Sequence, residues 1–86
     1  MPEICRFYGI VIKMFFDDHN PPHFHVEYEN FKALIEIATL AVIAGKLPPR
    51  AIGLVMEWAT LHQDQLLSMW NNAKVLKPIG KIKPLE

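Results

Sequence analysis

A single cysteine, Cys5, in 86 residues leaves the chain without an internal disulfide. The fold cannot lean on cross-links, as is usual for a protein of a reducing compartment. Cys5 as a nucleophile would need a depressed pKa and a nearby base. Beside Ile4 it reads as an ordinary strand residue. Net charge is also missing: nine basic residues balance nine acidic ones. No global field draws the chain to nucleic acid or anionic lipid. The apolar runs fall well short of the ~20 residues that span a bilayer. Met1-Pro2-Glu3 does not open a basic, then apolar, secretory leader. A cytoplasmic location is the expectation. There is no glycine-rich phosphate loop and no dinucleotide fingerprint. The hydroxyls Ser68, Thr39 and Thr60 have no histidine–acid arrangement around them, so a hydrolytic triad is not expected.

What remains is globular. Half the residues are hydrophobic, with two tryptophans and five phenylalanines. The length suits one domain over 1–86, burying roughly 60–65% of its unfolded surface. From Cys5 to Phe16, β-branched and aromatic residues predict a strand with two largely apolar faces, hence central or covered. Asp17-Asp18-His19-Asn20-Pro21-Pro22 is a stiff turn, because the prolines fix φ twice and remove two donors. His23–Tyr28 alternates cleanly: Phe24, Val26 and Tyr28 on one face, His23, His25 and Glu27 on the other. Glu29-Asn30 is a hairpin candidate. Phe31–Ile37 is a further strand, and Ala41–Ala44 a short fourth.

From Pro48 the period becomes helical, through Ile52, Val55, Met56, Ala59, Leu66, Trp70 and Ala73. Pro48 and Pro49 suit a helix start, and Pro78 and Gly80 its end. The expectation is therefore α+β: an antiparallel sheet of three to four strands over about 5–44, then one long C-terminal helix over about 49–75 packed on it. Its apolar arc is broad enough for a partner protein or a second copy, a homodimer, to cover the remainder. An extended tail, 77–86, carries Lys77, Lys81 and Lys83. With Lys74 they form a local basic patch for a phosphate backbone or an acidic partner.

The sharpest anomaly is three histidines in seven residues, His19-x3-His23-x-His25. His23 and His25 sit two apart on a strand, so they share a side at roughly 6.5–7 Å between Cα atoms. That spacing suits two imidazoles on one divalent ion such as zinc, with His19 as a third donor and water in the open position. Asp17 and Asp18 are nearby oxygens that could ligate or orient a histidine. His62, within the helical apolar arc, is a fourth candidate metal ligand. Strand alternation places His23 and His25 on the face away from the helix, which leaves His19 freer to meet His62. Metal-free acid–base catalysis by His19, His23 or His25 is the competing chemistry. A solvated polar face of His–Glu contacts would give the same pattern with no site at all.

Phe7-Tyr8-Gly9-Ile10-Val11-Ile12, His19-Asn20-Pro21-Pro22-His23-Phe24-His25-Val26-Glu27-Tyr28, Gly45-Lys46-Leu47-Pro48 and Glu57-Trp58-Ala59-x-Leu61-His62 together resemble the bacterial "domain of unknown function 4160" family. The resemblance runs over essentially the whole chain and is most specific at Pro-Pro-His-Phe-His. It implies a small protein paired with a cognate partner similar to the "domain of unknown function 2442" family. It further implies a type II toxin–antitoxin module with this chain as the toxin. It assigns no catalytic residue, and whether the chain is an enzyme stays open. The alternative is a non-enzymatic metal-binding or regulatory interaction module.

Overall fold

A two-residue turn opens the fold. The computed structural model describes residues 3–16 and 18–86. β1 (Glu3–Phe7) and β2 (Ile10–Lys13) pair antiparallel around Tyr8-Gly9. Both turn residues have positive φ, 49° and 80°. That is the twist a two-residue hairpin needs, and glycine supplies half of it at no steric cost. The single strand expected from Cys5 to Phe16 is therefore two strands. Tyr8 hid the turn, since asparagine or aspartate is the usual residue before such a glycine.

β3 (His23–Tyr28) and β4 (Phe31–Glu36) form the hairpin expected at Glu29-Asn30, with Glu29 at φ 53°. β5 (Val42–Gly45) completes a five-stranded antiparallel sheet in the order β1-β2-β3-β4-β5. The class is α+β as expected, but with five strands in place of three or four. Gly45 closes against β4: a Cβ there would lie 2.1 Å from the Lys32 carbonyl oxygen, at φ +73°. Gly45→Ala is expected to cost at least ~2 kcal/mol, because left-handed strain and a backbone clash add. A chemical-denaturation midpoint checks this.

The long helix is also two. α1 (Pro49–Leu61) stops at His62, whose backbone at φ −125°, ψ 19° leaves the helical region. α2 (Gln63–Lys74) starts at once. No proline or glycine marks the corner, so helical periodicity ran through it unbroken. Tertiary bonds hold it instead: the Gln63 amide donates to the carbonyls of Ile37 and Ala38 at 2.7 and 2.9 Å. The broad apolar arc is thereby explained in part. α1 buries Ala51, Val55, Trp58 and Ala59, and α2 buries Leu66, Met69, Trp70 and Ala73. Neither helix is long and apolar enough to cross a membrane.

Ile10, Ile12, Met14, Phe24, Val26, Ala33, Ile35 and Ile37 form the sheet side of the core. Trp58 is its centre, fully buried with ring centroids 5.6 Å from Phe7 and 6.0 Å from Phe24. The tail is coil, as expected, yet it belongs to the core. Ile79 and Ile82 are buried, the Ile82 amide donates to the Ile4 carbonyl at 2.9 Å, and the Trp58 indole donates to the Lys83 carbonyl at 2.8 Å. Lys77, Lys81 and Lys83 remain exposed along it. Cys5 is a buried strand residue, and burial raises its thiol pKa.

Candidate metal centre

The turn between β2 and β3 delivers Asp18 over the start of β3. Asp18 is tied down first: its Oδ1 accepts the His19 amide at 2.9 Å. This leaves Oδ2 for the rings. His25 Nε2 lies 2.9 Å from it and His23 Nε2 3.0 Å. Asp18, His23 and His25 each present one donor atom, all within 4.8 Å of one another. Among the described residues this is the one such group of three or more.

The proton inventory makes the arrangement informative. His23 Nδ1 sits 2.8 Å from the Pro21 carbonyl oxygen. A carbonyl only accepts, so Nδ1 carries the proton. A neutral His23 then aims the bare lone pair of Nε2 at a carboxylate oxygen 3.0 Å away. Two acceptors in contact repel, and His23 is 5% exposed, so water does little to relieve them. Either a second proton on His23 or a cation among the three groups resolves the conflict. The Nδ1–H···O=C bond is also the usual outer support of a metal-bound histidine.

Burial pushes the Asp18 carboxyl up, but the His25 hydrogen bond, the His19 amide and the charges of His23 and His25 outweigh it. Its pKa falls below the ordinary value. The site is built to keep this group anionic.

His25 is paired with Lys13 across the strands, and its ring stands T-shaped to that of Phe15 at 4.5 Å between centroids. Its flank opens onto a shallow cavity of about 210 Å³ lined by Glu27, Lys32, Leu34 and Ala44 among others. Glu27 does not engage the histidines by hydrogen bond. It takes the Lys13 ammonium at 2.8 Å, with the charge of His25 also acting on it.

Of the four histidines proposed as ligands, the structure brings together His23 and His25. His19 is exposed and reaches the cluster through its backbone alone. His62 lies at the helix corner, 5.4 Å from the Trp58 ring between centroids, and is not in the group. Asp18 takes the third place, and Asp17 lies outside the described residues. The alternation argument misjudged His23. As the first residue of β3 it is covered from above by α2, with its ring 5.2 Å from Trp70. Trp70 and Lys74, whose ammonium donates to the Asp18 carbonyl at 3.0 Å, carried no sequence signal for the site.

A family model described as "Domain of unknown function (DUF4160)" matches residues 9–71. The chain belongs to this family. The matched stretch holds Asp18, His23, His25 and Trp70, while Lys74 and the tail that closes on β1 lie beyond it. No curated protein and no solved structure matches the chain.

Proposed function

We propose that Asp18, His23 and His25 form a divalent-metal centre and that this centre is the working part of a toxin-like protein held in check by a cognate partner. The observation that carries the metal reading is the convergence of two ring nitrogens on one oxygen. His23 Nδ1 is held by the Pro21 carbonyl, which turns Nε2 toward the same anionic oxygen that His25 Nε2 faces. Two imidazoles and a carboxylate with open positions suit a first-row divalent ion, which supplies Lewis acidity at those positions. The toxin role rests on the family resemblance, and no substrate follows from the geometry. The partner is expected on the helical side or the tail, where Leu61 and Leu67 are exposed apolar residues and Lys77, Lys81 and Lys83 are exposed cations.

A second reading has its own observation. The 2.9 Å Asp18–His25 pair is the geometry of an acid–base couple that needs no ion. Expression without the neighbouring partner separates these readings. Growth arrest that Asp18→Asn and His25→Ala both relieve, at unchanged protein level, supports an active centre here. Harmless accumulation of a protein that still binds an ion supports the non-enzymatic metal-binding module instead. Arrest that persists after chelation and in both variants rules out the cluster as the source of toxicity.

A further inference from the structure

The metal reading leaves one part of the molecule unexplained: why the last turns of α2 lie over the turn that carries Asp18. Trp70 and Lys74 are four apart on α2 and so share a face. Trp70 is buried with its ring against His23 at 5.2 Å. Lys74 sets its Nζ over Trp70, 5.9 Å from the ring centroid, and its ammonium donates to the main-chain oxygen of Asp18 at 3.0 Å. One helical face thus touches both sides of the cluster, an imidazole by a tilted ring contact and the carboxylate-bearing backbone by a charge-assisted bond. A lysine brought this close to a cation site is otherwise a liability, since like charges repel. Its ammonium reaches the Asp18 carbonyl, while Asp18 Oδ2 faces the two rings.

Resting on the metal reading, we infer that Trp70 and Lys74 are positioning residues that pre-organise Asp18 and His23 for the ion. Ion affinity is therefore coupled to the docking of α2. Outer-shell partners of this kind change metal affinity by about 10–100-fold when removed. The ordering they impose is otherwise drawn from the binding energy of the ion.

Cobalt(II) titration of the purified, untagged chain tests this by calorimetry and by tryptophan emission. Lys74→Met keeps an unbranched side chain at this position and deletes the donor. It is expected to weaken cobalt binding about 10-fold or more, with the melting curve of the ion-free protein little changed. Lys74→Arg should restore most of the affinity, a rescue that a general packing role would not need. Cobalt should quench Trp70, and that quenched component should vanish in Trp70→Phe while Trp58, against Phe7 and Phe24, still emits. Lys74→Met binding cobalt as tightly as the unsubstituted chain overturns the clamp alone. An unsubstituted chain that binds no ion overturns the metal reading and the clamp with it.

Discussion

Asp18→Asn is expected to abolish divalent-ion binding, by a factor above ~100, and to leave the protein folded. The factor exceeds the outer-shell range because the lost group is itself a ligand. Asparagine keeps the oxygen that accepts the His19 amide, so the turn holds its shape. What it loses is the charge, and with it the anion that both imidazoles face. In the ion-free protein the exchange gives up the modest stability that the lowered Asp18 pKa represents, while the amide keeps a donor facing the histidine nitrogens. The readout is a thermal melt with and without ion. An ion at ~100 times its dissociation constant adds about 2.7 kcal/mol to the folded state. For a domain of this size that is roughly 10–20 °C in Tm. The shift should be present in the unsubstituted chain and absent in Asp18→Asn. An Asp18→Asn protein that gains the full shift would sink the centre as described. His23→Ala is a poorer probe, because it would leave a cavity under Trp70 and strip the Pro21 carbonyl of its donor.

The other large effect lies in the core. Trp58→Ala is expected to cost about 3–5 kcal/mol through the cavity alone. A chain of this length has a total stability of roughly 4–13 kcal/mol. Trp58 also donates to the Lys83 carbonyl, so the same change releases the tail that seats Ile82 on β1. The variant should melt well below the unsubstituted chain by circular dichroism. Trp58→Phe keeps most of the packing and loses the donor, at a cost nearer 1 kcal/mol. If the phenylalanine variant melts like the unsubstituted chain, the indole bond to the tail is not a support.

Which parts of this were readable in advance has a physical pattern. β3, its hairpin into β4 and the histidine pair were legible because alternation and turn chemistry are local properties. The Tyr8-Gly9 turn was not, because a tyrosine at positive φ goes against local preference and is held by the pairing of Phe7 with Ile10. The corner at His62 was hidden for the opposite reason: every local signal favours continuing the helix, and Gln63 bonds made across the fold stop it. At the site, Asp18 was in view as a nearby oxygen, but its rank above His19 depends on side-chain directions in an irregular turn. Trp70 and Lys74 reach the cluster from α2, 56 residues away in the case of Lys74 and Asp18. No spacing rule links such positions.

The two rims of the sheet are unequal. At β1 the rim is occupied at Ile4 by the tail. At β5 every residue is exposed, Val42 and Ile43 among them, and no described strand lies beyond it. A sheet with two bare rims can be extended from both ends without limit, as fibres are. Here the tail obstructs β1 at Ile4, and β5 is the more open rim for an incoming strand.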